Sequence, residues 1–415
     1  MKRIMCLLLA IMMMMATLAF ASAEEVKITF YTENATNGAN EARLAAFNAL
    51  YPNIKVELVE MPAGSTDRMQ MLSTVLQAKD SSLDVFIVDC TWPETFVAAE
   101  WLANLDGMLT EEELSVFSAG ALEGCMIDGS LYCLPLFVNT GAMLYRADLL
   151  EKYGFEPAKT WDELIAQSKV VMAGEENVYG YAAAWMQAEA LTCCAMEHIW
   201  NAGGEVLVNG EPSFNNEQVI AGISEMKKLM DSGVCIDGIL GMAAKGVRAA
   251  FFAGQVLYAR DWSVQIGNAN NPASSTVAGN VKLAPLPTSG EEYPSYNCNG
   301  GWNIGISAYS AHKEEALALV KFWTGSEAQL YNAVMNSKMP SLPELYANEE
   351  LIAAQPDMAT MLDFAANCKN RPNSAYYEEV SAAMQQAVMD VLMGTKDVVT
   401  AVNDMQAVEE DIYTW

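Results

Sequence analysis

The chain has 415 residues, 52 acidic against 23 basic, for a net charge of −29, and 52% of it is apolar. That charge excludes a nucleic-acid partner or an anionic lipid surface, because like charges repel and no basic patch offsets them. The apolar share excludes a disordered chain, and the length suits two domains of ~100–200 residues each.

The first element is a targeting segment. Lys2 and Arg3 precede an apolar run from Leu7 to Phe20, and Ala21-Ser22-Ala23 offers a small-x-small cleavage site. Residues 1–23 therefore read as a secretory signal peptide, too short and wrongly flanked for a membrane span. Cys6 lies before the apolar run, which disfavours a lipid anchor at the cleavage point. The mature protein is expected to start near Glu24 and to work in the periplasm or at the outer face of the cell envelope, without membrane insertion.

Next the pattern alternates. A strand Val26–Tyr31 precedes a helix near Asn40–Tyr51, then a strand Ile54–Glu60 and a helix from about Thr66. The apolar run Leu83–Val88 follows and ends at Asp89. Strand, helix, strand, helix, strand predicts an open, mostly parallel α/β sheet. Ligands gather at the carboxyl ends of such strands, so Asp89 is a site candidate by position; the competing reading is a cap of the next helix.

Asp128-Gly129 predicts a hairpin turn, and Cys125 and Cys133 on either side either pair or stay as buried thiols. A second unit begins after Tyr132-Cys133-Leu134-Pro135, where Asn139-Thr140-Gly141 interrupts an apolar run. Thr160-Trp161-Asp162-Glu163 reads as a capping box. Helices are predicted around Leu191–Asn201, Asn216–Ser232 and Met242–Ala253, and a strand Val256–Ala259 leads into Arg260-Asp261-Trp262. No cysteine or histidine spacing suggests zinc, and with only His198 and His312 present, histidine-based nucleophilic catalysis is disfavoured. No cofactor and no catalytic residue is expected.

The segment Gly300-Gly301-Trp302-Asn303-Ile304-Gly305-Ile306 carries the most information. Two glycines strip side chains from one side of a tryptophan, and the residues after it read as a strand with Ile304 and Ile306 on one face. Two readings fit equally: a core tryptophan beside a turn, or a flat platform for a ligand with an apolar face, as a sugar has. A helix then starts near His312. The chain thus returns to the strand–helix type of its beginning, which predicts interleaved units.

These segments, in this order, resemble the extracellular solute-binding proteins of ABC importers, in the branch containing the maltose- and trehalose/maltose-binding proteins. The resemblance rests on Asp84–Asp89 with Trp101-Leu102, on Tyr145-Arg146-Ala147-Asp148-Leu149-Leu150, on Thr160–Leu164, on Ala284-Pro285-Leu286-Pro287 and on the Gly-Gly-Trp segment. It implies an α/β fold of the periplasmic-binding-protein type: two interleaved lobes, hinge crossings and a central ligand cleft. The implied lobes are 24–136 plus 305–357 and 137–304 plus 358–415, with crossings near 135–141 and 302–307 and a third near 355–365. The implied ligand-binding residues are Arg68, Asp89, Trp92, Phe137, Asn139, Trp262, Gly301, Trp302 and Arg371. Asn139 and Phe137 stand where the family carries an aspartate and a tyrosine, and Val264 replaces a tyrosine. No counterpart of the family's acidic residue is evident around 37–40.

The expected function is that of a monomeric, non-catalytic carrier. It captures a neutral carbohydrate, mono- to oligosaccharide, by closure of two lobes and delivers it to an ABC permease. The alternatives are the same fold with a polyamine, peptide or glycerol-phosphate ligand, and an exported glycoside hydrolase using two carboxylates.

Overall fold

A computed structural model describes residues 25–33, 38–208, 211–372 and 374–413. The expected signal peptide, residues 1–23, lies outside them. Two sheets organise the molecule. The first has the order β2-β1-β3-β9-β4, built from β1 (Val26–Glu33), β2 (Ile54–Met61), β3 (Val85–Asp89), β4 (Cys133–Phe137) and β9 (Trp302–Ile306). The second comprises β5 (Gly141–Arg146), β6 (Tyr179–Ala182), β7 (Val256–Trp262) and β8 (Val281–Ala284), in the order β8-β5-β7-β6.

The first sheet forms for the reason its sequence announces. Helices α1 (Ala39–Leu50) and α2 (Ser65–Gln77) separate β1, β2 and β3, and β1 pairs parallel with both neighbours. All five residues of β3 are buried, as a central strand covered on both faces requires. Strand β9 arrives from far along the chain and runs antiparallel to both β3 and β4. Its apolar face is then sealed by α5 (Lys313–Trp323), whose Ala316, Leu319, Val320 and Trp323 are buried.

The hairpin at Asp128-Gly129 forms with φ of 50° and 80°, the left-handed pair that a tight two-residue turn needs. Cys125 and Cys133 flank it as buried free thiols, and all eight described cysteines are free. The capping box at Thr160 is half made: Thr160 accepts the Glu163 N–H, while the Glu163 carboxylate takes the N–H of Lys159.

The chain passes between the sheets at Val138–Thr140 and at Asn299–Gly301, and these segments lie side by side. Gly300 donates its N–H to the Asn139 carbonyl at 2.9 Å, and Thr140 bridges Asn299. A third segment joins them, since Val138 donates to the Met339 carbonyl at 2.8 Å. Residues that follow the helix α6 (Ser326–Asn336) are thus placed beside the same junction.

Candidate functional site

Strand register assembles the site. Trp302, the first residue of β9, lies opposite Asp89 on one side and Phe137 on the other. Asp89 and Phe137 are the last residues of β3 and β4. Glu33, last in β1, ends on the same edge because β1 and β3 are parallel. A carboxylate, a tryptophan, a phenylalanine and a second carboxylate therefore share the edge of the sheet where ligands of open α/β folds bind. From the second sheet Trp262, the last residue of β7, pairs with Gly141 beside the crossing.

Each aromatic carries a cation. The Arg68 guanidinium lies over the Trp302 ring at 4.6 Å, Arg260 over Trp262 at 4.5 Å, and Lys338 over Phe137 at 4.0 Å. Such contacts are worth ~0.5–2 kcal/mol each and hold both partners in place. Trp302 and Trp262 keep partial exposure. Gly300 makes room for the second of them: a Cβ there would meet the Trp262 ring at 2.3 Å.

The carboxylates are less open than their positions suggest. Asp89 accepts Ser65 Oγ on Oδ2 at 2.7 Å, and on Oδ1 it accepts the Arg371 guanidinium at 3.2 Å and the Thr91 N–H at 3.3 Å. Arg371 reaches across to Glu189 with its other terminal nitrogen and donates to the Asn299 carbonyl at 3.1 Å. Glu189, at the start of α3 (Glu189–Trp200), also accepts the hydroxyls of Tyr377 and Ser381 at 2.5 and 2.6 Å. Asp89, Arg371 and Glu189 form a buried ion triad between the first sheet and the helices over the second. Burial beside Glu189 and Asp89 pushes the Glu378 carboxyl up to about 7.

Two residues that were not read from the sequence enter the site. Glu33 lies 3.2 Å from the Lys338 ammonium. Burial favours protonation of Glu33, but Lys338, Arg68 and Arg43 outweigh it and hold the carboxyl below the ordinary glutamate value. Burial draws the Lys338 ammonium down against the pull of Glu33, and Arg68 and Arg248 add to the lowering. Arg248, on α4 (Ala244–Phe252), grips Asp261 with both ends of its fork at 2.7 and 2.9 Å. A carboxylate at the end of β1 was open to the positional argument used for Asp89; Lys338 left no local signal.

The remaining expected residues sort as follows. Trp92 is 1% exposed, stacked on Phe96 and edge-on to Trp302; its ring backs the platform from the core. Asn139 is buried in the first crossing, where its side-chain oxygen accepts the Thr140 N–H at 3.1 Å. Gly301 donates to Asn299 Oδ1 at 2.8 Å. Arg68, Asp89, Phe137 and Trp302 share the strand-end edge of the first sheet, Trp262 stands at the end of the second sheet against Gly300, and Arg371 is tied to Asp89. A cavity of about 850 Å³ is lined by three of the expected residues, Phe137, Gly301 and Arg371, with Asn303, Tyr346 and Leu362 among others, but not by Trp302, Trp262 or Arg68.

Among the described residues no group of histidine, cysteine or acidic side chains has metal-binding geometry. No described helix is long and apolar enough to cross a membrane.

A two-sheet α/β molecule with strand ends and crossings around one gap belongs to the class of two-lobed binding proteins. The family model for bacterial extracellular solute-binding protein matches residues 32–330, and the chain belongs to that family. A relative from Deinococcus radiodurans, described as a probable ABC transporter-binding protein, is 30% identical over 399 residues, covering 91% of this chain and 92% of the relative. The solved structure of maltose-bound MalE3 from T. maritima superposes with a TM-score of 0.88 at 30% identity, covering 93% of this chain and 100% of that one. The GacH receptor of Streptomyces glaucescens shares the fold at a TM-score of 0.83 and 20% identity, over 94% of this chain and 100% of its own. The family and these neighbours are solute-binding proteins rather than enzymes.

Proposed function

We propose that this chain is the exported substrate-binding component of an ABC importer and that its cargo is a carbohydrate, from mono- to oligosaccharide in size. It binds without catalysis, acts as a monomer, and presents the closed form to the permease subunits in the membrane. The observation that carries the reading is the aromatic–polar edge, where Trp302 and Phe137 stand beside Arg68, Glu33 and Lys338, with Trp262 at the end of the second sheet across the proposed gap. A sugar offers apolar C–H faces to stack and a rim of hydroxyls to pair, and small-ligand clefts mix linings in this way. That MalE3 was solved with maltose supports the same cargo class.

The lobes would comprise 24–137 plus 302–357 and 141–298 plus 358–415, shifted from the expected 24–136 plus 305–357 and 137–304 plus 358–415 because β4 and β9 lie wholly in the first sheet, with closure about the crossings at 138–140 and 299–301. The Asp89–Arg371–Glu189 triad would then act as a tie between them. Thermal-shift screening of the purified protein against a saccharide panel tests the cargo class. Stabilisation by a saccharide, lost in Trp302→Ala while that variant still unfolds cooperatively, is the expected result. Shifts with amines or peptides and with no saccharide would discard it.

A further inference from the structure

Among the described residues at this strand-end edge, unused hydrogen-bonding capacity is mostly on the donor side. Both oxygens of Asp89 are taken by Ser65, Arg371 and Thr91. Both oxygens of Asp261 are taken by the Arg248 fork, and the Trp262 N–H adds a further bond at 2.8 Å. Arg68 behaves in the opposite way. It is 6% exposed, donates Nε to the Pro62 carbonyl at 2.6 Å and lies flat on Trp302. Its two terminal nitrogens have no acceptor among the described residues.

Lys338 is similar. Its side chain is 18% exposed, and of its three N–H groups one meets Glu33 at 3.2 Å. Around Glu33 stand Lys338, Arg68 and Arg43, and Asp89 also acts on Arg68, so three cations face two carboxylates in a chain whose net charge is −29. A neutral hydroxyl both donates and accepts, so it would use these donors only in part. A carboxylate only accepts, and a guanidinium fork beside an ammonium is the donor set that matches it. A donor that a bound ligand covers without pairing costs ~1–3 kcal/mol, which favours the ligand that pairs it.

We propose that the carbohydrate captured here is acidic, a uronic-acid-bearing mono- or oligosaccharide, and that the Arg68 fork and the Lys338 ammonium receive its carboxylate while Trp302 carries the sugar face. The proposal rests on the carbohydrate reading above and replaces the neutral sugar expected from the sequence. Glu33 holds Lys338 in place through Oε2, and its Oε1, which has no partner among the described residues, takes a neighbouring hydroxyl. The loss of cation solvation that draws Lys338 down would be offset by the bound anion.

Calorimetric titration decides it, with disaccharides of galacturonate, glucuronate and mannuronate, each run against its carboxyl-reduced neutral counterpart. The expected result is at least one uronate binding about tenfold or more tighter than its reduced form, with the ratio falling as salt rises. Lys338→Met should lower the ratio of uronate to reduced-sugar affinity about tenfold, whatever it does to the reduced sugar alone; Arg68→Lys, which keeps the charge and loses the fork, should move the ratio in the same direction. Thermal unfolding of both variants confirms the fold. Reduced sugars binding as tightly as the uronates, or Lys338→Met weakening both alike, would overturn the acidic ligand and leave the carbohydrate reading standing. Binding of neither class, with shifts on amines or peptides, would overturn both.

Discussion

Gly300→Ala tests the arrangement with a single methyl group. A Cβ at residue 300 would lie 2.3, 2.6 and 2.8 Å from three ring atoms of Trp262. Carbon atoms in contact settle at ~3.5–4.0 Å, so the ring must retreat by roughly 1 Å. It cannot retreat freely, because Arg260 sits 4.5 Å from its centroid and is itself tied to Glu197 by two bonds of 2.7 and 2.5 Å. Overpacking of this kind costs ~1–3 kcal/mol of stability. With Trp262 displaced from the gap, saccharide affinity should fall about tenfold, or ~1.4 kcal/mol. Calorimetry with the saccharide found by screening, together with near-ultraviolet circular dichroism of the tryptophans, reads both effects. Gly120→Ala is the control, since a Cβ there meets nothing within 4 Å, and it should change neither affinity nor spectrum. Affinity within twofold of wild type in Gly300→Ala, with an unaltered near-ultraviolet spectrum, would refute the role given to the glycine and to Trp262.

The ion triad makes a second prediction. Arg371→Met leaves Asp89 and Glu189 buried without their shared cation, and breaking such a set costs ~3–5 kcal/mol; a loss below about 1 kcal/mol in denaturant unfolding would contradict the tie. A third concerns pH. Glu409, in the helix Val398–Tyr413, is fully buried, neither carboxylate oxygen has a hydrogen-bond partner among the described residues, and burial pushes its carboxyl up to about 8. Its folded value exceeds the unfolded one, so the stability it contributes is full below about pH 4.5 and is lost as pH rises toward 8. Glu409→Gln should therefore be more stable than wild type at pH 8, by ~1–3 kcal/mol, and should match it at pH 4 in denaturant unfolding; an equal difference at both pH values would point to packing instead.

Much of the scaffold was legible because it is written in local periods. The alternation from Val26 to Asp89 specified the parallel half of the first sheet, and glycines 300 and 301 marked a close approach that the Trp262 ring makes. What stayed hidden was pairing across long separations. Asp89 was visible as a strand-end carboxylate, but its partner Arg371 lies 282 positions away, and without that partner Asp89 looked free to accept hydroxyls. Lys338 is 305 positions from Glu33 and sits in a connection with no period. Trp92 stood near the cleft in sequence, yet the turn after β3 sends its ring inward onto Phe96. The α/β type follows from local pattern, whereas the charge balance of the gap depends on which distant segments the crossings bring together.

The most direct test of the central claim is calorimetric titration of the purified protein with a panel of neutral and acidic saccharides, followed by chromatography of the recovered ligand. The account predicts saturable binding of at least one saccharide, weakened by Trp302→Ala, with the ligand recovered chemically unchanged. Hydrolysed ligand, or no binding by any saccharide alongside binding of an amine or peptide, would contradict it.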